Sequence, residues 1–138
     1  MSQSSNCDQP SPDDGSGSSA SRENGDGMVV HARARQLLGW LVPVSARLPR
    51  EHRHGVSRHL VALGMRLHDE LVAARHLDLP GRRHALREAD IALDLLRQYL
   101  FMLWQWRWIS EGQFRHASGL TEELGRLIGG WRRHAGGG

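Results

Sequence analysis

Apolar residues recur along this chain with helical spacing in four segments. The longest runs from Gly81 to Trp108, where Leu86, Ala89, Leu93, Leu96, Leu100 and Leu103 are separated by three or four positions. That rhythm keeps all six side chains on one side of a straight helix. Ile91, Ala92, Leu95, Tyr99, Met102 and Trp106 widen the stripe, and no Gly or Pro interrupts the segment after Gly81. Such a helix is roughly 40 Å long, and its apolar side requires other helices to cover it.

The other three segments share the period. Val30, Ala34, Leu37, Leu41, Val44 and Leu48 predict a first helix from about Met28, with a kink expected at Pro43. Val56, Leu60, Leu63, Leu67, Leu71 and Ala74 predict a second over about residues 51–76, ended by a turn at Asp78-Leu79-Pro80-Gly81. Phe114, Ala117, Leu120, Leu124, Leu127, Ile128 and Trp131 predict a fourth over about residues 111–131. Ser110 and Gln113 have the spacing of a capping box at its start. Four amphipathic helices with short connections predict an all-α, antiparallel up-down four-helix bundle over residues 28–133, with 134–138 a frayed end.

Residues 1–27 break the pattern. They are Ser, Gly, Asp, Asn and Pro with almost no apolar side chains, and they predict a disordered acidic tail. Charge divides at the same place: five acids against one Arg before residue 28, and 17 Arg against 10 acids after it, a net +7. All of these bases are Arg, whose planar fork suits phosphate and carboxylate partners. The candidate phosphate-facing residues are Arg58, Arg66, Arg82, Arg83, Arg87, Arg132 and Arg133. A solvated face with internal helical ion pairs is the competing account of the same residues.

The apolar surface exceeds what one core needs. Phe101, Trp104 and Trp108 stand at i, i+3 and i+7 outside the main seam, and Ser118, Gly125 and Gly129 form a small-residue strip on the fourth helix. These six residues predict a subunit interface, with a wide core and bundle-edge aromatics as the competing account. Chemistry is sparse by comparison. The single Cys7 excludes a disulfide framework, the nine His offer no i, i+4 pair facing a third ligand, and there is no Gly-rich phosphate loop. No catalytic residue, metal or cofactor is expected. The chain lacks an apolar leader and any apolar run of about 20 residues, so no membrane association and a cytoplasmic location are expected.

Several stretches resemble the accessory variability determinant (Avd) proteins of diversity-generating retroelements. They are Leu48-Pro-Arg-Glu-His-Arg-His54, the run from Arg82 to Arg97, Ile109-Ser110, and the closing Leu124-Gly-Arg-Leu-Ile-Gly-Gly-Trp131, which is the most distinctive. The resemblance covers about residues 30–133. It implies a bundle assembled as a homopentamer, acting as a non-catalytic partner of the retroelement reverse transcriptase and its template RNA in mutagenic cDNA synthesis. Two other readings stay open at this stage: a general RNA- or ribosome-associated four-helix bundle, and a purely structural homo-oligomer.

Overall fold

The computed structural model describes the backbone of residues 14–137, and the side chains of 27–135 except that of Arg53. Four helices make the fold: α1 (Asp14–Ala46), α2 (Arg58–His76), α3 (Leu79–Gln105) and α4 (Glu111–Arg132). Each packs on two neighbours in the ring α1–α2–α3–α4, and the diagonal pairs make no close approach. This is the up-down four-helix bundle that the periodicity predicts.

The stripes read from sequence are the core. Val30, Ala34, Leu37, Leu41 and Val44 of α1, Leu48 just beyond its end, and Leu60, Leu63, Leu67, Leu71 and Ala74 of α2 are buried. So are all six seam residues of α3, and Ala117, Leu120, Leu124, Ile128 and Trp131 of α4. Burying each Leu contributes roughly 2 kcal/mol. Gly64 is the glycine that close packing requires. A Cβ there would stand 2.8 Å from Leu41 Cδ2 and 2.9 Å from Leu38 Cδ2, so its absence lets α1 approach α2.

Element ends depart from expectation where caps, not apolar spacing, set them. α3 starts at Leu79, inside the expected turn, because the Asp78 carboxylate accepts the Gly81 amide at 3.2 Å. Pro80 is tolerated in that first turn, where its missing amide would have no helical partner. α3 ends at Gln105, three residues before the expected Trp108. The Trp108 amide donates to the Leu103 carbonyl and the Arg107 amide to the Trp104 carbonyl, each at 2.9 Å. That pair of bonds is a Schellman closure, and it puts Arg107 in the left-handed region with φ 63°. Glycine normally fills this position; here an arginine does.

The expected start of the second helix resolves into a 3-10 turn (Arg50–His52) and a π turn (Arg53–Ser57), and regular helix begins only at Arg58. Gly55 weakens helical order in this stretch, and the buried Ser57 hydroxyl donates to the Ser45 carbonyl at 2.7 Å, holding the segment on α1. At the start of α4 both bonds of the Ser110–Gln113 capping box are present.

The chain ends also differ from the expected boundaries. α1 begins at Asp14, so the backbone of 14–27 is helical where a tail is predicted. Extending a helix already nucleated by a packed segment costs less than starting one. Cys7 and the rest of 1–13 lie outside the described residues. Beyond α4 the chain continues as a π turn (Arg133–Gly137), and Ala135 belongs to the core rather than to a frayed end.

One buried histidine links α1 to α4. His31 is buried beside Trp131, with ring centroids 6.2 Å apart, and its Nδ1–H donates to the Gly27 carbonyl at 2.5 Å. Its Nε2 is buried and makes no hydrogen bond. Burial pulls the His31 pKa below its ordinary 6.5; the Gly27 carbonyl opposes this, and Arg75, His68 and Arg35 add to the lowering. The folded state therefore holds His31 neutral while the unfolded chain takes up a proton at lower pH. Its contribution to stability is complete above pH 6.5 and is lost as pH falls below that value. In urea titrations across pH 5–8, His31→Gln should flatten the fall below pH 6.5 by up to one proton relative to the parent; an unchanged slope refutes this assignment. Arg107→Gly should raise stability by about 1 kcal/mol by relieving the left-handed backbone, read as a higher urea midpoint.

Candidate nucleic-acid interface

The seven arginines expected to face phosphate do not form one surface. Five gather where α3 begins and α4 ends. Arg82, Arg83 and Arg87 occupy the first turns of α3, and Arg132 closes α4 while bonding Asp90 of α3 at 3.2 Å. Arg133 follows with its guanidinium beside Gly129 and Gly130. Arg58 lies at the opposite end of the bundle, on the first residue of α2, beside an apolar cleft that includes Val42, Ala46 and Val61. Arg66 sits between the two ends and pairs with Glu88 of α3.

Within the five, roles differ. Arg82 is half-buried, and its guanidinium donates to the Ala74 carbonyl at 2.8 Å and the Leu77 carbonyl at 3.2 Å. These are last-turn carbonyls of α2 that no helical amide reaches, so Arg82 caps α2 and is not a phosphate ligand in waiting. Arg83, Arg87 and Arg133 are exposed. The nearby acids are engaged: Asp78 caps α3, Glu88 meets Arg66 and Asp90 meets Arg132. These exposed arginines gather near the amino end of α3, where the helix dipole adds positive potential.

The expected interface residues divide as well. Phe101 is exposed, and Trp104 lies flat against Phe114 of α4 with centroids 4.7 Å apart and planes 4° apart. Phe101, Phe114 and Ser118 line an open cleft of about 360 Å³ between α3 and α4. Gly125 continues the cleft beside Leu93 and Arg97 of α3, and Gly129 lies one turn further along. Trp108 does not share this face. α3 has ended before it, and the Schellman turn swings it to the end of the bundle, where it stacks on His52 at 4.4 Å.

Residues 28–135 match the family model described as bAvd-like. The chain belongs to the bAvd-like family. That agrees with the Avd-like pattern of its sequence and makes it an accessory protein of that kind. No curated protein matches the bAvd-like chain. Among solved structures, it is similar to a protein of unknown function from the S23 ribosomal protein family of Bacteroides thetaiotaomicron VPI-5482. The TM-score is 0.73 at 14% identity, covering 78% of this chain and 98% of the other. At that identity the likeness concerns the bundle fold. Among the described residues no helix is long and apolar enough to cross a membrane, and no three His, Cys, Asp or Glu side chains converge as a metal site.

The different arginine roles separate by stability. Arg82→Ala should lower the urea midpoint by an amount equivalent to about 1 kcal/mol, because it strands α2 carbonyls. Arg87→Ala should leave it within about 0.5 kcal/mol, as for an ordinary surface change. Equal effects would show that Arg82 is not a cap.

Proposed function

We propose that this protein is a non-catalytic accessory factor of a diversity-generating retroelement, binding the reverse transcriptase and its template RNA to support mutagenic cDNA synthesis. The observation that carries this reading is the bAvd-like family match across the whole bundle. The gathering of Arg83, Arg87 and Arg133 at one end supports it, since exposed guanidinium groups bind phosphate without reading sequence. Specificity then comes from the joint surface with the reverse transcriptase. The protein works in the cytoplasm, where the template RNA is made.

The functional unit in this proposal is a homo-oligomer, a pentamer by family resemblance. The α3–α4 cleft is its subunit surface, with Phe101, Trp104, Ser118, Gly125 and Gly129. Phe101 remains 43% exposed in the single chain although its neighbours Trp104 and Phe114 are stacked, so the cleft offers an aromatic ledge beside small residues. Repeating the Arg cluster around an axis multiplies the phosphate attraction of each copy.

The test is a reconstituted reaction of reverse transcriptase, template RNA and this protein. Replacing Arg83, Arg87 and Arg133 by Glu should abolish cDNA synthesis, weaken RNA binding at least ten-fold at low salt and flatten its salt dependence, while light scattering shows the oligomer unchanged. Full cDNA yield from that folded variant refutes the surface. Equal binding to unrelated structured RNA, with no effect on cDNA yield from the wild type, favours a general RNA-associated bundle. If the wild type binds neither RNA nor reverse transcriptase at low salt, a structural oligomer replaces this reading.

A further inference from the structure

The opposite end of the bundle carries a second concentration of cationic and aromatic side chains. The α1–α2 connection contributes Arg47, Arg50 and His52, and the α3–α4 connection contributes Trp106, Arg107 and Trp108. Stacking joins the two connections. The His52 ring lies on Trp108 with centroids 4.4 Å apart and planes 22° apart, and Trp108 meets Trp106 at 5.0 Å. Trp106 ends this ladder with 49% of its surface exposed, more than any other Phe, Tyr or Trp of the bundle. Arg47, Arg50, Arg58 and Arg107 are all exposed at this end of the bundle. Of the acids nearby, Glu111 is paired with Arg115 at 3.6 Å, which leaves Glu51 as the opposing charge.

Arg107 is the second observation. It holds a left-handed backbone, φ 63°, that costs an arginine about 1–2 kcal/mol and a glycine almost nothing. Left-handed non-glycine residues cluster at binding sites, where the side chain is worth its strain. Here the residue retained is a cation, set between two tryptophans.

We propose that this end of the bundle is a binding site for single-stranded RNA, in which an unpaired base stacks on Trp106 and Arg47, Arg50 and Arg107 hold the flanking phosphates. Every base offers a π face, so aromatic stacking with nearby cations binds single strands with little sequence preference. A duplex keeps its bases stacked inside and cannot use Trp106. The site is separate from the Arg83–Arg87–Arg133 surface, at the far end of the bundle, and does not depend on the retroelement reading.

The experiment uses the full chain with a fluorescein-labelled 12-nucleotide oligouridylate, and a 12-base-pair RNA duplex as the second probe. Trp106→Ala should weaken oligouridylate binding about ten-fold, Trp106→Phe should retain most of it, and neither should change duplex binding. Arg107→Gly removes the charge while keeping the turn, and should weaken oligouridylate binding several-fold in a protein at least as stable as the parent. Oligouridylate should quench more tryptophan fluorescence in the parent than in Trp106→Phe. Unchanged oligouridylate binding by Trp106→Ala overturns the proposal, as does an equal loss for single strand and duplex. A change of oligomeric state or loss of reverse-transcriptase binding by Trp106→Ala, with oligouridylate affinity intact, overturns it in favour of a protein contact. The Arg83, Arg87 and Arg133 charge reversal distinguishes failure of the functional reading: it governs cDNA yield and should leave the Trp106 quench in place.

Discussion

The structure depends on burying the Leu86–Leu103 seam of α3 between α2 and α4. Those six side chains are at most 2% exposed, and each lies on a helix that has neighbours on both flanks. Once α3 is fixed, its two ends fix the connections. Asp78 caps its start, Arg82 ties that start to the end of α2, and the closure at Arg107 turns the chain toward Ser110 and the capping box of α4. The interhelical ion pairs Arg66–Glu88 and Arg132–Asp90 lie on the surface and add orientation rather than much stability.

What the sequence makes legible follows from this division. Apolar spacing reports which residues leave water, so the four helices and nearly every core residue can be read from period alone. The Ser110–Gln113 box is equally legible because both partners are side chains of fixed spacing. Helix ends set by backbone geometry are not. Nothing in the identity of Arg107 signals a left-handed residue, since the usual marker is glycine. Pro80 and Gly81 read as a turn because the capping carboxylate of Asp78 makes their place in a helix acceptable only in three dimensions. Gly64 sits inside a leucine stripe, where a glycine among core positions is a faint sign of close approach.

The arginines show the same limit in a different form. Sequence gives their number and the helix each occupies, but the fold decides which are structural. Arg82 is consumed by the carbonyls of Ala74 and Leu77, and Arg132 by Asp90, while Arg83, Arg87 and Arg133 face outward. Arg58 is carried to the other end of the bundle by the direction of α2. Trp108 illustrates the corresponding point for aromatic residues. Its i, i+7 relation to Phe101 holds only along an unbroken helix, and the Schellman turn removes it from that face.

The surface left over is unequal around the bundle, and that inequality bears on assembly. Met65 of α2 and Ile91 and Leu95 of α3 are each more than one-third exposed, as is Phe101 further along α3. Scattered single residues of this kind are ordinary on a monomer. The α3–α4 cleft differs because aromatic rings, small residues and a concavity coincide there, the combination that lets a second surface approach closely. Arg83, Arg87 and Arg133 are exposed at one end of the bundle and Arg47, Arg50, Arg58 and Arg107 at the other, while the exposed Arg97 lines the cleft itself. A protomer so arranged can join copies side by side through its length while leaving both ends free for phosphate. In the proposed oligomer, copies joined through this cleft would bring like ends together and repeat the end arginines of each chain around an axis.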